Sequence, residues 1–465
     1  MIPKLFQKSA STGGKRSINL KRMWLRLGTF VVSAALVLLA AFGYLTVHFA
    51  HMLETELANL KAESAFVTVD DFLESADVGG AEEDVEGQRV VDFFMGLTPD
   101  DFDAPVLAGG MEILGEALII NPPRILENWN PEVEAGVRDA CARNAALIEE
   151  LIAIGNAPVP RLGTWIANNY DPNEFFVMYA VPNLLALRGG ANLLGLRAIL
   201  WHKDGHDDEV LHTAATILKI AHHVSNSGHT LINEMIATAI RNIAVQTAQL
   251  VEEDAHYSEQ GIREFCGALE EAVHPEYLTR AFEWERLAGI DSLWRLRPVV
   301  VVIEDPLSRL TAYFLRDYYA TNYIRVMNLM VTATTVPAYE HKALLDKLKT
   351  LSKDTDSSMG PYASMMLPNG MRSLLQVIDT EISLRTAQIA LATKLYHQDH
   401  DRYPDTLEAL VPDYLDVLHN DPFSGKPYLY SYDDAGIRVY SVGTNYVDDG
   451  GLGTDRLDVG WGLKE

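Results

Sequence analysis

Basic residues are scarce in this chain, cysteine is scarcer, and the short fingerprints of catalysis are missing. Against 64 Asp and Glu stand 38 Lys and Arg, a formal net charge of -26 over 465 residues. Binding a phosphate backbone needs a basic face that releases counterions, so this balance excludes nucleic acid as a partner. The two cysteines, Cys141 and Cys266, sit in the apolar helical patterns RDACARNAALIEELI and IREFCGALEEAV. A bridge between them and a pair of buried thiols both fit that placement. No G-x-S-x-G, Walker loop, dinucleotide fingerprint or HExxH occurs. What the chain does have is apolar mass: 48% of its residues are hydrophobic, enough to bury a sizeable core.

Acidic charge is also absent from two adjoining stretches. Residues 1–26 carry seven Lys and Arg and no acidic residue, and residues 27–50, LGTFVVSAALVLLAAFGYLTVHFA, carry no charge of either sign. A helix rises about 1.5 Å per residue, so the second stretch can cross a hydrocarbon core roughly 30 Å thick. It exceeds the apolar region of a cleaved leader, and Tyr44, His48, Phe49 and His51 crowd the place where cleavage would fall. The reading is one uncleaved transmembrane helix, with the basic tail in the cytoplasm and the acidic body outside, anchored in the inner membrane and periplasmic.

Residues 51–105 read as a helical stalk followed by an acidic linker, and residues 106–370 as a helical domain. Segments such as EAGVRDACARNAALIEELIAI, DDEVLHTAATILKIAHHV and TLINEMIATAIRNIAVQTAQLVEE repeat apolar residues every three or four positions. Short polar breaks, HKDGHDD, SNSGH and DAHYSEQ, separate several of them, which makes antiparallel hairpins. The expected fold class is therefore mostly α: one transmembrane helix, an irregular helical-hairpin domain of tetratricopeptide-like character, and a small α+β domain at the C-terminal end.

Two clusters in the helical domain could carry chemistry. Histidines 202, 206, 212, 222, 223 and 229 are potential metal ligands, but Gly205 and an Asp-rich turn separate His202 from His206, and the group reads as capping and surface histidines at hairpin ends. In AFEWERLAGIDSLWRL, Glu283, Glu285, Arg286, Asp291 and Arg295 interleave with apolar residues and read as salt-linked helix faces. A break is expected at SSMGPYASMMLPNG, with a new domain from residue 371.

That last segment runs a long helix into Arg402-Tyr403-Pro404-Asp405-Thr406 with Leu410, then Asp421-Pro422-Phe423-Ser424-Gly425-Lys426-Pro427-Tyr428, a hairpin of PYLYSY and IRVYSV, and Tyr440-Ser441-Val442-Gly443 before an Asp- and Gly-rich loop. In order and spacing, residues 371–465 resemble the globular part of the type II secretion major pseudopilin. The resemblance implies a structural calcium ion held by Asp448, Asp449, Asp455 and Asp458. Calcium takes six to eight hard oxygens on a sharply turning chain, which fits this composition. Asn445 stands where the family more often has Asp. The chain departs from the family at its start: Ser33 stands where the assembly glutamate belongs, and about 320 residues separate the apolar helix from the pseudopilin-like one. The architecture resembles large envelope proteins of Gram-negative bacteria, which implies envelope or secretion-system proteins as partners and an interaction or structural role. An exported enzyme working among the helices and an atypical secretion component are the alternatives.

Overall fold

The computed structural model describes residues 20–63, 68, 71, 85–98, 101–102, 106–107, 111–112, 129–159, 184–228, 230–250, 255–295, 306–344, 347, 360–433, 436–451 and 458–463. Most of the basic tail and of the acidic linker, together with His229 and Asp455, lie outside that set.

Helix α1 (Leu20–Glu63) contains the apolar stretch, and it is long and apolar enough to cross a membrane, with no part of that stretch buried in the protein. It does not end where the apolar run ends. Its last turns bury Leu53 and Leu60, and Arg325 of α10 (Pro306–Thr335) pairs with Glu56 at 2.6 Å. Phe49 meets Tyr318 with ring centroids 4.9 Å apart. The stalk is thus helical as expected, but it is docked along the body.

Helix α2 (Val85–Gly96) and a two-residue strand pair, β1 (Val106–Leu107) and β2 (Met111–Glu112), precede the helical body. The segment read as one helix around Cys141 is two, α3 (Pro131–Arg143) and α4 (Ala145–Gly155). Asn144 divides them because its amide Nδ2 and its backbone N–H both donate to the Ala140 carbonyl, closing the first helix.

Helices α5 (Leu184–Lys203), α6 (Asp207–Gly228) and α7 (Leu231–Leu250) each pack on the other two, so the center is a three-helix unit. Gly205, at φ +81°, makes the tight turn between α5 and α6. Helix α8 (Glu259–Glu271) lies on α6, and α9 (Pro275–Arg295) pairs with α10 and touches α7. Both cysteines are buried free thiols; the Cys266 thiol donates to the Gln388 carbonyl at 3.8 Å, and burial pushes the Cys141 thiol up to about 11 and the Cys266 thiol to about 12. Neither is reactive at neutral pH.

Helix α11 (Gly360–His400) corrects the expected break. Pro361 falls in the first turn, where a missing N–H costs nothing, and the helix continues through Pro368 with the loss of one backbone bond. Its middle buries Ile382, Ala387, Ala390 and Ala392 against α7, α8 and α10, and Arg385 pairs with Glu270 of α8. The same helix carries the C-terminal sheet on its other end. That sheet is β3 (Leu429–Asp433), β4 (Gly436–Ser441) and β5 (Val459–Trp461), antiparallel in sequence order, with Leu429 opposite Tyr440 and Val439 opposite Trp461. Val439 and Trp461 bury their side chains, and a short 3-10 turn, Leu407–Leu410, covers α11 beside them.

Candidate functional site

The acidic loop follows β4. Asp421 is buried and locks the DPFSGKP turn to that strand: it accepts from the Phe423 and Ser424 N–H groups at 3.0 and 3.2 Å and from Ser441 Oγ at 2.6 Å. Beyond the 3-10 turn Gly443–Asn445, Tyr446 adopts φ +62° and donates its hydroxyl to the Ala338 carbonyl at 3.0 Å, tying the loop to the helical body.

Three of the four expected aspartates are described, and they differ. Asp448 and Asp449 are exposed; Asp448 accepts from the Gly450 N–H and the Tyr440 hydroxyl, and Asp449 from the Asn445 amide at 2.8 Å. Gly450 and Gly451 turn the chain with φ of +81° and +64°, a backbone that a side chain would strain. Asp458 is buried. Its Oδ2 accepts from the Gly451 N–H at 2.9 Å, while Oδ1 has no partner in hydrogen-bonding geometry among the described residues. Burial raises its carboxyl above the usual range, and the Asp449 and Asp448 charges raise it further, against the Gly451 and Asp449 backbone N–H groups. A buried carboxylate oxygen whose charge is opposed by those of Asp448 and Asp449 is one that a hard cation would relieve. Among the described residues, however, no group of three or more His, Cys, Asp or Glu side chains is gathered as a metal cage. Asn445 is engaged with Asp449, so its neutral amide already softens the charge there.

The histidines divide too. His206 and His212 are exposed, and His202 holds Asp207 at 2.8 Å, in keeping with a turn-capping role. His222 and His223 depart from that reading. They line a cavity of about 440 Å³ with His274, Lys219, Asn156 and Leu218. His223 donates Nε2–H to the Ile154 carbonyl at 3.0 Å, which leaves its buried Nδ1 as an acceptor without a partner among the described residues. The His222 ring lies 4.7 Å from that of His274 and 5.6 Å from that of Tyr277. Burial, then the neighbouring His274 and His223, push His222 down to about 4, so it is neutral at physiological pH. His274 in turn holds Glu276 at 2.9 Å. Among the described residues no Ser, Thr or Cys lines the cavity, so its polar groups there are those of the histidines, Lys219, Asn156 and Glu271.

The carboxylates of α9 do not converge. Glu285 accepts from the Leu231 N–H at 3.3 Å at the first turn of α7, and Glu283 sits 3.9 Å from Arg286, whose Nη1 donates to Asn328 at 2.8 Å. Burial raises both carboxyls, but they serve helix packing. The buried polar group that sequence reasoning missed is on α7. Arg241 Nη1 donates to Glu234 Oε1 at 2.6 Å and Nη2 to Ser225 Oγ at 2.8 Å, and that hydroxyl donates to Glu234 Oε2 at 2.6 Å. A signal was present: Glu234 and Arg241 are seven apart, on the same helix face as the buried Thr238, Val245 and Ala248. His274, 52 positions from His222, gave none.

No family model, characterised protein or solved structure matches the chain.

Proposed function

We propose that this protein is a single-pass, membrane-anchored interaction or structural module of the bacterial envelope, its body periplasmic and its acidic loop holding a structural calcium ion. One observation carries the reading: the apolar part of α1 continues without a break into turns that are packed on the body, so the anchor is joined to the body by helix and not by a loose linker. Such a coupling suits a protein whose task is to hold a surface at a fixed place and angle on the membrane. The calcium part is supported by the orphaned Asp458 Oδ1 and the neighbouring Asp448 and Asp449; Asp455 would complete the set. The resemblance to a pseudopilin domain supports an envelope or secretion-system partner. The cavity of His222, His223 and His274 favours a second reading, an exported binding protein or enzyme, although among the described residues no hydroxyl or thiol nucleophile lines it.

Orientation is tested by alkaline phosphatase fused after Glu465, which should be active in cells. An inactive phosphatase there, with an active cytoplasmic reporter at the same position, would reverse the topology.

Calcium is tested on the full chain in detergent, because α11 is shared with the helical body. A ligand that binds only the folded state stabilises it by RT ln(1 + [L]/Kd), about 2.7 kcal/mol at a hundredfold excess over Kd. Melting should therefore come later in millimolar calcium than in chelator, and Asp449→Ala with Asp458→Ala should remove the difference. Equal melting of the unaltered chain in the two buffers would dismiss the ion.

A further inference from the structure

We propose that the first three turns of α10, Pro306–Asp317, lie in the outer leaflet against α1, so that the body is seated in the bilayer surface. The inference depends on reading α1 as the membrane anchor.

The register between the two helices leads there. Phe49 meets Tyr318 and Glu56 meets Arg325, and both pairs are 269 positions apart, so α1 and α10 run parallel and side by side. Each step back along α10 then has a matching step back along α1. Asp317 falls level with His48 and Pro306 level with Val37, well inside the apolar stretch 27–50. Exposure along α1 follows the same line. Val37, Leu38 and Leu39 are each 68% exposed and Val47 72%, whereas Phe42 and Leu45 fall to 42% and 43%. Phe42 and Leu45 stand at three- and four-residue spacing from Phe49, Leu53, Glu56 and Leu60, the stripe that meets α10. Phe42 and Leu45 are thus less exposed than their neighbours, on the side that carries the stripe.

Depth follows from length. A hydrocarbon core of roughly 30 Å takes about 20 residues of helix, so a span beginning near residue 27 leaves the core near residue 47. On α10 that level is Arg316. Below it the sequence PLSRLTAYFL holds a single charge, Arg309; at and above it come the Arg316–Asp317 pair at 2.8 Å and two tyrosines, Tyr318 and Tyr319. Tyr44, His48, Phe49, Tyr318 and Tyr319 form a run of neighbouring rings spread over about 7.5 Å of helix, the composition of an interfacial aromatic belt. The occupant of the surface around these turns is lipid, continuous with the lipid that surrounds α1.

The test uses the full chain with Cys141→Ala and Cys266→Ala, reconstituted in vesicles of phosphatidylcholine and phosphatidylglycerol. Single cysteines at Leu310, at Phe314, at Leu38 as the anchor control and at Tyr339 as the water control each carry a small environment-sensitive fluorophore. Nitroxide on the lipid acyl chains should remove most of the emission from positions 310, 314 and 38 and leave 339 unchanged. Quenching at 38 with none at 310 and 314, whether water or a second copy of the chain covers them, overturns the proposal and leaves the anchor standing. Absence of quenching at 38 removes the anchor reading, and the seat falls with it.

Discussion

Alanine in place of Arg241 is expected to cost the body about 3 to 5 kcal/mol, a loss typical of removing one partner from a buried ion pair. The Arg241 and Glu234 side chains are 5% and 3% exposed. Without the guanidinium, Glu234 would keep only the Ser225 hydroxyl, and an ionised carboxylate would stand in the three-helix center with no compensating charge. Glu234 must then take up a proton or admit water, and either route loosens the α6–α7 contact. Thermal melting of the detergent-solubilised chain should shift down by many degrees. Replacing the whole group by apolar residues of similar volume, Arg241→Met with Glu234→Leu and Ser225→Ala, should recover most of the loss, because no charge is then left to bury. A single Arg241→Ala variant melting with the unaltered protein would show that water reaches the site and that the group is not truly dry.

The second large effect is steric. Gly289 on α9 lies directly against the ring of Tyr323 on α10, so closely that a methyl group there would overlap the phenol. Tyr323 cannot yield. It is fully buried, and its hydroxyl donates to the Glu285 carbonyl at 2.5 Å, so it is held at both ends. Gly289→Ala should therefore cost at least the 1 to 3 kcal/mol typical of overpacking and separate α9 from α10. The same substitution in a Tyr323→Leu background should cost much less, since the smaller side chain leaves room. Equal costs in the two backgrounds would place the clash elsewhere.

Much of this architecture is legible in the residues, because it depends on local periodicity. Helices α5 to α10 follow their three- and four-residue apolar spacing, and the strands of the β3–β4 hairpin follow PYLYSY and IRVYSV. Local patterns fail where a backbone choice is decided by one side chain or by distant packing. Asn144 ends α3 through its own amide, inside a run whose apolar spacing never falters. Pro361, Pro368 and Gly370 read as a break, yet the α11 backbone stays helical through them, and Gly370 itself is buried against Phe282 and Met330. The acidic loop was legible as a turn, but nothing in DDGG distinguishes the exposed Asp448 and Asp449 from the buried Asp458 that follows. The least legible contact is the longest, α1 on α10: the stripe through Leu53, Glu56 and Leu60 shows that something covers α1 and does not say what.

Helix α11 also sets an order of events during synthesis. Its 41 residues are among the last third to leave the ribosome, yet they fill the faces of α7 and α8 that were made more than a hundred residues earlier. At about 5 to 20 residues per second those faces wait on the order of ten seconds without their cover. Any chain terminated before residue 360 would keep them open for good. Such fragments would be marked for proteolysis by their own apolar grooves, so α11 reports that synthesis has passed residue 400.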